Sequence, residues 1–184
     1  MNINIRDMFP VSNMGKIFFL QGCELMSEIS KFHTVRGYQL LEQNKKLLTS
    51  SMEDYLEMIY RNSLIEGYIR INTLSELLNV AASSATKMVQ KLNSLGLIDY
   101  KKYGIISLTE DGKELGKFLL ERHNIIESFL RNLGVKENIL IETELIEHNV
   151  SASTLQKIST FNKFLELNPD IMEKYKKFSQ NSTT

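Results

Sequence analysis

Two short helical runs joined by a tight turn, a basic hairpin directly after them and three apolar helices beyond predict a mainly α-helical fold. It consists of an N-terminal winged helix-turn-helix followed by an all-helical domain. At 184 residues, 42% hydrophobic and 24% charged, the chain fits one or two small domains and can bury a real core. The expected boundaries are an N-terminal extension over 1–48, a winged helix over 49–110 and a helical domain over 111–184.

Residues 1–31 show no sustained period and contain, after Met1, three further methionines, Met8, Met14 and Met26, that could each start translation; 1–25 read as poorly ordered or as an over-extended start. From Thr34 a helical pattern runs through Val35, Tyr38, Leu41, Leu47 and Leu48, against the low helix propensity of Gly37, and predicts a short extra helix on the body. A firm helix begins at Thr49 or Ser50, with Glu53 three residues after Ser50 as a capping box. Met52, Tyr55, Leu56, Ile59 and Tyr60 form its apolar stripe, while Asp54, Glu57 and Arg61 share the opposite face. Taken locally, these acids fit an exposed face with an i, i+4 bond from Glu57 to Arg61.

Ile71–Val80 reads as a two-turn helix with a Thr73 to Glu76 capping box, and a tight turn over 79–82 leads to a second helix, Ser83 to Gly96. That helix buries Ala85, Met88, Val89, Leu92 and Leu95. Its other face presents Ser83, Ser84, Thr86, Lys87, Gln90 and Lys91, side chains that bond base edges and phosphates. Leu97–Tyr100 and Ile105–Leu108 are strands around the basic turn Lys101-Lys102-Tyr103-Gly104, so the second helix would read the major groove while Lys101, Lys102 and Tyr103 touch the backbone. Thr109 to Asp111 caps a long helix ending at Gly134, with His123 in its middle. Helices follow over 135–148, 151–167 and, after Pro169, 170–178, and they suggest a dimerisation domain.

Net charge is zero, with 22 Lys+Arg and 22 Asp+Glu, yet it is unevenly spread: residues 82–104 carry +3 and residues 136–148 carry −3. This predicts separate anion-facing and cation-facing surfaces. One cysteine, Cys23, precludes an intrachain disulfide and fits a reducing cytoplasm. The four-residue apolar run before Cys23 is shorter than the ~7 to 15 residues of a secretory core, and no stretch nears the ~20 of a membrane span.

Glu144, Glu147 and His148 share a helical face at i, i+3 and i+4, a metal-ligand arrangement in outline. By itself the run fits a solvated acidic face better than a metal site, and a lone helical histidine such as His123 is more often a satisfied polar residue. A metallohydrolase built on the same groups lacks a nucleophile motif and a phosphate-cradling Gly loop, so no enzyme is predicted.

Four blocks resemble a known family: Ser51-Met52-Glu53-Asp54-Tyr55-Leu56-Glu57-Met58-Ile59-Tyr60, Ser83-Ser84-Ala85-Thr86-Lys87-Met88-Val89-Gln90-Lys91-Leu92, Arg122-His123 and Ile146-Glu147-His148. In order and spacing they are similar to the manganese transport regulators of the diphtheria-toxin-repressor family of metal-dependent repressors, over roughly 49–165. The resemblance implies that Asp54, Glu57, His123, Glu144, Glu147 and His148 bind metal. It further implies a homodimer that binds double-stranded DNA at a near-palindromic operator in the cytoplasm, with no membrane association. The iron-responsive branch is expected to have Met in place of Asp54 and Cys in place of Glu144. The carboxylates here suit Mn²⁺, with Fe²⁺ the alternative, and the surplus of donors fits two ions per subunit; the rival reading is a winged-helix regulator that senses an organic ligand or acts without metal, its acids merely solvated. Three departures stand out: the longer N-terminal region, a chain too short after His148 for an SH3-like third domain, and Ala82 where a proline is expected before the recognition helix.

Overall fold

The structure is a computed structural model that describes residues 37, 39–43 and 47–181. The expectations for residues 1–36, including the start of the extra helix at Thr34, lie outside the described residues; residues 37 and 39–43 are helical. A Cβ on Gly37 would sit 2.3 Å from Cβ of Phe118, so the residue that weakens the helix is the one that lets it lie against the body.

Helix α1 (Ser50–Glu66) starts at Thr49, whose hydroxyl accepts from the Met52 amide, and ends at Gly67 with φ 77°. The Ser50 to Glu53 capping box does not form. Thr49 takes the N-cap, which leaves Glu53 one position too far along, and its carboxylate turns inward to Arg122 and His148. Strand β1 (Ile69–Arg70) feeds straight into α2 (Ile71–Leu77), which therefore begins two residues before Thr73 with Arg70 at its N-cap and no side-chain cap. Strand pairing fixes that start. Helix α3 (Ala82–Ser94) begins one residue earlier than expected: the Ala81 carbonyl accepts from the Ser84 and Ala85 amides, and no side chain caps it.

Strands β2 (Ile98–Lys101) and β3 (Ile105–Leu108) form the hairpin, and β1 adds to β3, giving an antiparallel sheet of order β1-β3-β2. Ile98 faces Leu108 across the ladder, and Ile106 faces both Tyr100 and Ile69. The connecting turn, Lys102–Gly104, holds both Tyr103 (φ 65°) and Gly104 (φ 72°) in the left-handed region.

Helix α4 (Glu110–Leu133) is capped by Thr109, whose hydroxyl accepts from the Gly112 amide and donates to the Gly96 carbonyl, so it is tied to the end of the recognition unit. A Cβ at position 112 would lie 1.8 Å from the Leu97 carbonyl oxygen; only glycine permits this junction. Three helices follow: α5 (Ile139–Glu147), α6 (Ala152–Leu167), capped by Ser151, and α7 (Pro169–Asn181). Helix α5 starts four residues later than expected, because Asn138 adopts φ 54° and sets a turn before it.

Helix α4 is the spine of the fold. It packs against α1 on one side and against α5 and α6 on the other, while α1 also packs on α3 and β3. Leu56, Ile59, Leu74, Val89, Leu92, Ile98, Ile106, Leu115, Leu119 and Ile126 form one continuous core through these elements. Each such side chain contributes roughly 1.5–3 kcal/mol when fully buried. No helix among the described residues is long and apolar enough to cross a membrane.

Candidate functional site

The apolar stripe of α1 faces the core, and the i, i+3 spacing of Asp54 and Glu57 carries them along the helix edge that meets α4 and α5. Helix α4 brings Arg122 and His123 to that edge at mid-length, and the last turn of α5 brings Glu144, Glu147 and His148. All six sequence-predicted metal residues come together there, in two groups of donors whose atoms lie within 4.8 Å of one another: Asp54, Glu144, Glu147 and His148, and Glu57, His123 and Glu147.

Glu147 belongs to both groups and is 1% exposed. Its Oε2 lies 2.9 Å from His123 Nδ1, and its Oε1 lies 3.8 Å from His148 Nε2 and 3.7 Å from Arg122 Nη2. On the solvent side, His148 Nε2 is 3.1 Å from Asp54 Oδ1 and 3.7 Å from Glu144 Oε2. On the inner side, its Nδ1 is 2.9 Å from Glu53 Oε2, which also accepts from Arg122 Nη2 at 2.8 Å. Glu57 accepts from Arg61, and its Oε1 is 4.0 Å from His123 Nδ1.

The titration of these groups follows from that crowding. Hydrogen bonding to Asp54, then Glu144 and Glu53, pushes the His148 imidazolium up to about 11. His123 is raised too, chiefly by hydrogen bonding to Glu147 and against the effect of burial. Burial pushes Glu57 up more strongly than Arg61 pulls it down. Hydrogen bonding to His148 holds Glu144 below the usual carboxylate range. Burial works to raise Glu53, but His148 and Arg122 together hold it low. The carboxylates thus draw in the groups the fold supplies, the guanidinium groups of Arg61 and Arg122 and the imidazoles of His123 and His148.

Both donor groups offer carboxylate oxygen and imidazole nitrogen, a set that fits a hard or borderline divalent cation such as Mn²⁺. Buried Glu147 belongs to both groups and would help hold a cation in either. Local reading of the sequence missed two participants, Glu53 and Arg122. Their pairing spans 69 positions, and no local signal carries it; Glu53 in addition mimics a capping residue.

The second surface is the exposed face of α3. Ser83, Ser84, Lys87, Gln90 and Lys91 are exposed, and Thr86 is half-buried with its hydroxyl donating to the Ala82 carbonyl. Lys101 is exposed, Tyr103 stands 89% exposed at the turn, and the side chain of Lys102 lies outside the described residues.

A three-stranded winged helix joined through one long helix to a helical domain, with a carboxylate and imidazole cluster at the junction, defines a winged-helix regulator whose DNA-reading head is tied to an ion site. Residues 47–106 match the description "Iron dependent repressor, N-terminal DNA binding domain", and residues 109–176 match "Iron dependent repressor, metal binding and dimerisation domain". The chain belongs to the iron-dependent, or diphtheria-toxin, repressor family, whose members are DNA-binding regulators and not enzymes. It is 44% identical over 127 residues to the HTH-type transcriptional regulator MntR of Lysinibacillus sphaericus, covering 68% of this chain and 91% of that one. It is 45% identical over 131 residues to MntR of Listeria welshimeri, covering 70% and 91%. Among solved structures it resembles the manganese regulator SloR, with a TM-score of 0.56 and 32% identity. That match covers 61% of this chain and 54% of SloR, so the chain spans about half the length of that relative. A manganese-dependent transcriptional repressor in complex with manganese matches with a TM-score of 0.52 and 30% identity, covering 61% and 52%.

Proposed function

We propose that this protein is a manganese-responsive repressor that binds operator DNA as a homodimer in the cytoplasm and shuts off metal-uptake genes when Mn²⁺ is abundant. One observation carries the reading: the six donors come from α1 of the winged helix and from α4 and α5, so occupancy of the site and the placement of the head are one event. The ligands are Asp54, Glu57, His123, Glu144, Glu147 and His148. When bound, Mn²⁺ supplies a hard divalent charge that oxygen and nitrogen donors satisfy.

Asp54 and Glu57, held to α5 and α4, fix α1 against the second domain. Because α1 packs on α3, that contact also fixes the direction in which Ser83, Ser84, Thr86, Lys87, Gln90 and Lys91 face. Two heads related by a two-fold axis then meet successive major grooves, with Lys101, Lys102 and Tyr103 on the flanking backbone, which requires a near-palindromic operator. Glu53 holds His148 Nδ1, leaving Nε2 toward Asp54 and Glu144. The domain limits 49–110 and 111–184 follow the same division of labour.

Fluorescence anisotropy on the DNA upstream of the protein's own coding sequence, with and without Mn²⁺, tests this reading, and Fe²⁺ is the arm that separates the two ions. Mn²⁺ tightens binding at least tenfold if the reading holds, a coupling of ~1.4 kcal/mol. Equal affinity in both conditions sinks it.

A further inference from the structure

Two arginines meet the acidic cluster in different ways. Arg122 is buried among Glu53, Glu147 and His148, and its Nη2 is 2.8 Å from Glu53 Oε2 and 3.7 Å from Glu147 Oε1; it has nowhere else to go. The side chain of Arg61 is 39% exposed and reaches the cluster from its rim, donating to Glu57 Oε1 from Nε at 2.9 Å and from Nη2 at 2.5 Å. That oxygen lies 4.0 Å from His123 Nδ1, inside the group formed by Glu57, His123 and Glu147. Five carboxylates, Glu53, Asp54, Glu57, Glu144 and Glu147, set against the fixed charge of Arg122 leave a formal charge of −4 when both histidines are neutral. Two divalent cations balance it once Arg61 has swung out. With Arg61 still seated, the same two ions leave an excess positive charge.

We propose that Arg61 is a tethered cation that occupies Glu57 until a metal ion displaces it, and so sets the metal concentration at which the Glu57, His123 and Glu147 group fills. The inference rests on the functional reading above. An i, i+4 pair with the glutamate on the N-terminal side is favourable but modest in strength. Arg61 therefore delays filling without blocking it, and the released side chain enters solvent along a helix surface it already partly occupies.

Isothermal titration of the full chain with Mn²⁺ alone, at fixed pH and without DNA, tests the idea on wild type, Arg61→Met and Arg61→Gln, with Arg61→Lys as the conservative variant. Loss of the guanidinium is expected to tighten Mn²⁺ uptake about three- to tenfold, with Arg61→Lys closer to wild type. Unchanged or weaker uptake in both Arg61→Met and Arg61→Gln, against normal uptake by wild type, overturns the inference alone; weaker uptake means that Arg61 positions Glu57. A wild type that takes up no Mn²⁺ overturns the functional reading and this inference together.

Discussion

The junction of α1, α4 and α5 and the outer face of α3 are both built from polar and charged residues and behave in opposite ways. At the junction Glu147, His123 and Glu57 are 1%, 5% and 8% exposed, and each charge is held by another. On α3, Lys87, Gln90 and Lys91 stand in solvent. Charges that are buried together act as a unit, whereas exposed charges act one at a time. The acidic face read on α1 and the basic face read on α3 look alike as patterns. Only the packing of α4 across α1 turns the first into a site.

Breaking the unit has the largest expected effect. Glu147→Ala removes the group shared by both donor clusters, takes from His123 its 2.9 Å partner and leaves Arg122 with Glu53 as its remaining carboxylate. It is expected to lower Mn²⁺ affinity by 100-fold or more, by analogy with the ~10–100-fold cost of losing even an outer partner, and to destabilise the metal-free protein by ~3 kcal/mol. Calorimetry and denaturant unfolding measure the two; near-wild-type values in both erase the distinction between the regions.

The next effect is on pH dependence. His148, held up to about 11, keeps its proton at neutral pH in the metal-free protein, and His123 is raised in the same direction; as the proposed ligands, both would have to be deprotonated to bind metal. Mn²⁺ affinity should therefore climb as pH rises from 6 to 9, and the observed binding enthalpy should vary with the buffer's ionisation enthalpy in proportion to the protons released. In the metal-free protein the same raised value stabilises the fold fully below about 6.5 and is lost as pH rises toward about 11. A flat Mn²⁺ affinity across this window would show that metal binding displaces no proton from the imidazoles.

Single changes on α3 should be milder and separable. Lys87→Ala or Lys91→Ala is expected to weaken DNA binding by roughly 1 kcal/mol and to reduce the salt slope by about one, with Mn²⁺ uptake untouched. A shift in Mn²⁺ affinity in either variant would mean that the two regions share more than α1. The smallest effect is at the turn: Tyr103→Gly relieves a left-handed residue and should stabilise the free protein by about 1 kcal/mol, seen as a rise in Tm.

The parts of this fold governed by local chemistry are legible in the chain. Thr109, Gly134 and Ser151 mark helix ends by their own hydroxyls and conformational freedom, and the alternating Ile105 to Leu108 marks a strand. What is not legible depends on distant partners. Strand β1 is two residues long and exists because β3 pairs with it. Glu53 satisfies a local capping pattern and yet serves Arg122 and His148, because Thr49 takes the N-cap and the junction offers two cations. The −3 segment over 136–148 is not one acidic surface either: Glu142 and Glu144 face solvent, while Glu147 is buried.

The claim that ion site and DNA-reading head are one coupled unit is tested most directly by the reciprocal measurement, Mn²⁺ affinity of the free protein against that of the operator complex. Linkage requires that DNA tighten Mn²⁺ binding by the same factor that Mn²⁺ tightens DNA binding. The account predicts equal factors of at least ~10, a coupling within the usual range of ~1–3 kcal/mol. Identical Mn²⁺ affinity with and without operator would contradict it.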